Sequence, residues 1–125
     1  MIERVYFVYI MSNRKGGVIY VGVTSDLATC VLQHRAGDTG GFTKRYNCRR
    51  LVWFEGFDDV RDAIDREKRL KRWLRAWKVD LIEARNPDWK DLWPALMGQE
   101  RFPWETEADF LAPGDPGTLT WMRRD

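Results

Sequence analysis

The sequence predicts an α+β domain built on a three-stranded antiparallel sheet flanked by helices, followed by an irregular C-terminal tail. Three observations lead there. Residues 4–11 (RVYFVYIM), 18–23 (VIYVGV) and 50–57 (RLVWFEGF) are rich in β-branched and aromatic types suited to strands. The segments between and after them carry apolar residues at helical spacing. A chain of 125 residues with 44% hydrophobic content suits one compact core. The expected division is a domain over residues 1–97 and a tail over residues 98–125.

The first two strands are joined by SNRKGG. Pairing Met11 with Val18 would set Tyr9 directly opposite Tyr20, so that both hydroxyls leave one face of the sheet. Gly22 would then oppose Phe7 and leave open space beside the rings. Thr24, Ser25 and Asp26 make a natural helix start ahead of LATCVLQHRAG, and Gly37 supplies the stop. Helical spacing puts Leu27, Cys30, Val31 and His34 on a single face. The glycine-containing loop GDTGGFTKRY leads to the third strand.

From Val60 to Glu83 the pattern predicts one long amphipathic helix, its stripe formed by Val60, Ala63, Ile64, Leu70, Leu74, Trp77 and Leu81. Asn86-Pro87 ends it, and DWKDLWPALM at 88–97 suits one more short helix. Beyond Gly98 several Pro and Gly residues interrupt any period. Phe102, Trp104, Phe110 and Trp121 are the side chains expected to strap this tail to the body.

No run reaches the roughly eighteen apolar residues of a membrane span, and no signal-peptide pattern opens the chain, so a cytoplasmic location is expected. Cys30 and Cys48 lack CxxC spacing, which argues against a zinc ribbon or a thioredoxin-like pair and for free thiols. Cys30 and His34 stand four apart on one helix face, but two ligands are too few for a zinc site. The formal net charge of +2 hides an asymmetry. From Arg35 to Val79 there are 13 Lys/Arg against 7 Asp/Glu, and from Gln99 onward 3 against 6. A basic centre with an acidic tail fits a surface that binds a polyanion.

Glu67 stands out because it lies one heptad after Val60 and one before Leu74, on the apolar stripe. A carboxylate there must find a cation, take a proton or turn outward. A divalent metal would satisfy it, and so would Lys71, four residues on. The tyrosine pair has two readings as well, since aromatic residues fill strands without any function.

The spelling of this neighbourhood resembles the GIY-YIG nuclease family. Phe7-Val8-Tyr9 stands in the place of GIY and Tyr20-Val21-Gly22 in that of YIG. The likeness continues through FTKRY, LVWFE, REKRLKRW and NPDWKDLW, from about Tyr6 to Trp93, and is similar to small single-domain bacterial members. It implies metal-dependent hydrolysis of phosphodiester bonds in DNA, branched and single-stranded forms included, with Mg2+ or Mn2+ as cofactor. The matching functional positions are Tyr9, Tyr20, His34 and Glu67, with Lys44 a more distant match. Glu67 would hold the metal, Tyr9 would act as general base, Tyr20 would orient water or phosphate, and His34 would support it. Lys44, Arg45, Arg49 and Arg50, with Arg69, Arg72 and Arg75, are candidates for phosphate contacts.

One departure bears on activity. Family members typically carry an arginine four residues ahead of the histidine, and this chain has Cys30 there. A thiol cannot replace a fixed cationic fork, and losing one preorganised charge-stabilising group costs on the order of 10²–10³ in rate. Three explanations follow: Arg35 or Lys44 substitutes, the chain binds nucleic acid without cutting it, or the arginine was removed by mutation.

Overall fold

A computed structural model describes residues 5–37 and 41–105. Its three strands, β1 (Tyr6–Ser12), β2 (Ile19–Thr24) and β3 (Arg50–Phe57), form one antiparallel sheet in the order β2-β1-β3. β1 is therefore the central strand. Helix α1 (Leu27–Ala36) follows β2, and α2 (Phe42–Arg45) is a single turn ahead of β3. The chain then forms α3 (Val60–Arg72), α4 (Arg75–Glu83) and α5 (Trp93–Leu96).

Alternation along the strands splits the core into two layers. Phe7, Tyr9, Met11, Leu51 and Phe54 face α1, where they meet Leu27 and Val31. Val8, Ile10, Val21 and Phe57 face the other way, toward Ala63 and Leu70 of α3 and Ile82 of α4. A bulge in β3 between the partners of Ile10 and Met11 leaves Val52 unpaired, so that Val52 and Trp53 both enter the second layer. Phe102 is buried in the first layer and Trp104 packs beside it, while Phe110 and Trp121, also expected to strap the tail, lie outside the described residues.

Three expectations are corrected. The hairpin register is two residues further along: Met11 pairs with Tyr20, and Tyr9 with Gly22. The cause is Asn13, whose Oδ1 accepts from the Val18 amide at 2.9 Å and so holds Val18 in the turn rather than the ladder. A shift of two preserves the face, so Tyr9 and Tyr20 still share one, as diagonal neighbours.

The single long helix is instead two, because Trp73 and Leu74 are both extended, with ψ of 149° and 148°. The stripe is not buried as one face on either side of the break. Ala63, Leu70 and Ile82 are buried, but Val60, Ile64, Leu74 and Trp77 are exposed. Arg75 fastens the start of α4 to the β1–β2 turn by donating to the carbonyls of Gly16 (2.9 Å) and Gly17 (2.6 Å).

The loop before β3 also contains the unexpected turn α2, which opens after Gly41 at φ 79°, a conformation that favours glycine. Helix α1 matches its expected limits. Asp26 caps it by accepting from the Thr29 amide at 3.1 Å, and Gly37 closes it in the left-handed region at φ 73°. None of the described helices is long and apolar enough to cross a membrane.

Candidate functional site

Tyr9 is buried on the central strand, and its ring lies directly over Gly22 of β2. A Cβ at position 22 would stand 2.5 Å from Tyr9 Cζ and 2.5 Å from its hydroxyl oxygen. The glycine thus makes the space that the phenol fills, where the sequence-derived register had it facing Phe7 beside an open gap.

The Tyr9 hydroxyl meets two side chains of α1. Cys30 Sγ donates to it at 3.1 Å, and His34 Nε2 lies 3.1 Å away. His34 Nδ1 is in turn 3.1 Å from Thr43 Oγ1 in α2. With the thiol donating to the phenol oxygen, the phenol hydrogen is directed at Nε2, and Nδ1–H is left to donate to Thr43. The helix supplies both groups because positions 30 and 34 are one turn apart on the face turned to the sheet.

This environment holds both rings neutral. Burial drives the Tyr9 phenol far above its ordinary value of 10.0, and Cys30 and then Tyr20 add to the effect. Burial also lowers His34 below its usual 6.5. A Tyr9 phenolate would need a nearby cation to ease ionisation, and the Cys30 thiol occupies the family's arginine position in α1. The geometry allows a relay, in which Tyr9 can pass its proton to a neutral imidazole as it receives another.

Tyr20 joins this group from the edge strand. Its ring centroid is 6.2 Å from that of Tyr9 and 5.6 Å from that of His34. On its other side it stacks with Phe42 at 6.2 Å, and Phe42 meets Tyr46 at 4.8 Å. Thr43, Phe42 and Tyr46 were not singled out in the sequence, because FTKRY read as loop. The i, i+4 spacing of Phe42 and Tyr46 was the available signal.

Tyr9, Tyr20 and His34 are thus brought together, whereas the contact that Glu67 makes is with Lys71 of its own helix. It lies on α3 between the buried Ala63 and Leu70, on the helix that packs against the opposite sheet face. Its side chain is 15% exposed and pairs with Lys71 Nζ at 3.4 Å, the ion pair that its spacing also allowed. No three His, Cys, Asp or Glu side chains among the described residues gather as a metal site. A lone carboxylate still suits magnesium, which keeps most of its water and takes one or two carboxylates with substrate phosphate oxygens.

The candidate phosphate contacts divide between two regions. Lys44 and Arg45 are exposed on α2. Arg49 and Arg50 line a cleft of about 470 Å³ with Arg35, Asn13, Asn47 and Asp91. Arg50 is partly engaged, donating to the Trp89 carbonyl at 3.0 Å. Arg69 and Arg72 stand on α3, and Arg69 lines a separate cleft of about 490 Å³ among Asp58, Asp59, Asp62 and Asp65. Arg35 pairs with Asp91 and sits over the Trp93 ring, which commits it away from Tyr9. Of the two proposed substitutes for the missing arginine, Lys44 is the more available.

The order of strands and the tyrosines on β1 and β2 agree with a direct comparison of the sequence. Residues 5–80 match the model of the GIY-YIG catalytic domain. The chain belongs to the GIY-YIG family. It is similar to a UPF0213 protein of Staphylococcus saprophyticus, 31% identical over 62% of this chain and 93% of that one. A UPF0213 protein of Haloquadratum walsbyi is 33% identical over 62% of this chain and 86% of its own. Among solved structures, the solution structure of the UPF0213 protein BH0048 from Bacillus halodurans covers 72% of this chain and 95% of its own, at 24% identity and a TM-score of 0.46. Membership places the chain in a nuclease superfamily whose substrates are nucleic acids.

Proposed function

We propose that this GIY-YIG protein is a cytoplasmic, metal-dependent endonuclease that hydrolyses phosphodiester bonds in DNA. The observation that carries the reading is the hydrogen-bonded series from Tyr9 through His34 to Thr43, with the Tyr20 ring against both rings. Tyr9 takes a proton from water as it releases its own to His34 Nε2, so no phenolate forms and the cost of burial falls on the imidazolium instead. His34 becomes cationic with Thr43 oriented on its far nitrogen. Tyr20, half-buried on the edge strand, orients the phosphate.

Glu67 is the carboxylate proposed to hold Mg2+ or Mn2+, released from Lys71 for the purpose. Family membership supports this role, together with an oxygen donor held on a packed helix face. When bound, the ion would neutralise charge on the phosphate and the departing oxygen. Lys44, Arg45, Arg49 and Arg50 supply sequence-blind phosphate contacts.

The test is incubation of purified protein with supercoiled plasmid and branched DNA in magnesium. Cleavage is expected, with Tyr9→Phe and His34→Ala each reducing it at least a hundredfold. Equal cutting by wild type and both variants would refute the relay.

A second reading, a nucleic-acid-binding module without cleavage, is favoured by Cys30, which puts a thiol where the family offers a cation. It predicts salt-sensitive binding and no nicking, with nicking gained in Cys30→Arg. Cleavage by the wild-type protein discards it.

A further inference from the structure

The chain from Gly41 to Tyr46 carries two aromatic side chains, Phe42 and Tyr46, that the hydrolytic reading does not use. Phe42 and Tyr46 are 44% and 39% exposed, though each would gain by burial. They are one turn apart, their centroids 4.8 Å from each other, and Phe42 stacks with Tyr20 at an interplanar angle of 29°. The Arg45 guanidinium lies 5.4 Å over the Tyr46 ring, and Lys44 is exposed between the two aromatics in sequence. Three rings therefore run from the Tyr9–His34 cluster to solvent, with the Arg45 guanidinium at the outer end.

We propose that Phe42 and Tyr46 form a stacking platform for an unpaired nucleotide of single-stranded DNA, whose phosphates are drawn in by Lys44 and Arg45. An exposed π-face flanked by positive charge matches a base joined to a phosphodiester, each half of the ligand meeting its own kind of partner. A base within a duplex has both faces covered by its neighbours, so the platform selects strands that are already open. Because Tyr20 belongs to both groups, a base on Phe42 brings its adjoining phosphate toward Tyr9 and His34. This last step rests on the nuclease reading; the stacking does not.

The experiment measures binding without cleavage. Full-length protein in EDTA is titrated into a labelled single-stranded oligonucleotide and into the duplex of the same sequence, with fluorescence anisotropy as readout. The wild type is expected to prefer the single strand. Phe42→Leu and Tyr46→Leu, which keep apolar bulk and remove the π-face, should each weaken single-strand binding about 5- to 150-fold, the span of one base stack. Duplex binding should stay within about twofold. Phe42→Trp should retain single-strand affinity and show quenched indole emission on binding. Unchanged single-strand affinity in both Leu variants, or equal losses on single strand and duplex, would overturn the platform. Failure of the nuclease reading is separately visible, as no cutting in magnesium by a protein whose binding follows the expected pattern.

Discussion

Gly22→Ala tests the centre of the site with a single methyl group. The added Cβ would lie 2.5 Å from Tyr9 Cζ and hydroxyl and 2.9 Å from Cε1, closer than carbon atoms approach without displacement. Tyr9 cannot simply swing away, because its ring is buried and its strand is paired on both sides. Overpacking of this kind costs about 1–3 kcal/mol. A ring moved by as little as ~1 Å also loses its alignment with Cys30 and His34, both at 3.1 Å, and misplacement of that order can cost about a hundredfold in rate. The assay is a double-mutant cycle by urea denaturation. Gly22→Ala should destabilise the wild type by about 1–3 kcal/mol. In a Tyr9→Ala background the clash is gone, and the same change should be neutral or stabilise by about 0.5–1 kcal/mol, because alanine suits a strand better than glycine. Additive effects in the cycle would show that position 22 does not make room for Tyr9.

His34 is buried in the neutral form with its titration moved downward, so the unfolded chain binds the proton more readily than the native one. Native stability should therefore fall as pH drops below about 6.5, level off below the lowered native value, and lose this acid limb in His34→Gln. Glu67→Gln should abolish magnesium-dependent cutting yet change stability by no more than about 0.5 kcal/mol, since Lys71 is half exposed. Undiminished plasmid nicking would remove Glu67 from the reaction. Asn86→Ala should cost roughly 2–4 kcal/mol by urea denaturation, because the buried amide donates to the Val52 and Lys90 carbonyls and accepts from the Lys90 amide. A loss under ~1 kcal/mol would mean those backbone groups find other partners.

The strands and the first helix were legible because their signals are local: β-branched runs, the Asp26 cap and the Gly37 stop act within a few residues. The hairpin register was not, because it turns on one Asn13 side chain whose contact no periodicity displays. The break at Trp73-Leu74 contains neither proline nor glycine, and it coincides with the ties of Arg75 to Gly16 and Gly17, distant in sequence. Tyr9, Tyr20 and His34 could be grouped from strand alternation and motif order. The partner of Glu67 was among the two options its spacing allowed. Thr43, Phe42 and the adjoining Tyr46 were hidden by the assumption that a glycine-rich stretch has no helix.

The placement of the two tyrosines in the sheet gives them unequal freedom. Tyr9 sits on a strand flanked by ladders on both sides, so moving it means disturbing the whole sheet. Tyr20 is carried by an outer strand with one neighbour, and its ring leans on a short turn at the surface. If the proposed nuclease reading holds, adjustment to differently shaped substrates falls to the second phenol, while the first keeps its alignment with the imidazole. The same polypeptide layer serves as a fixed jaw and a yielding one.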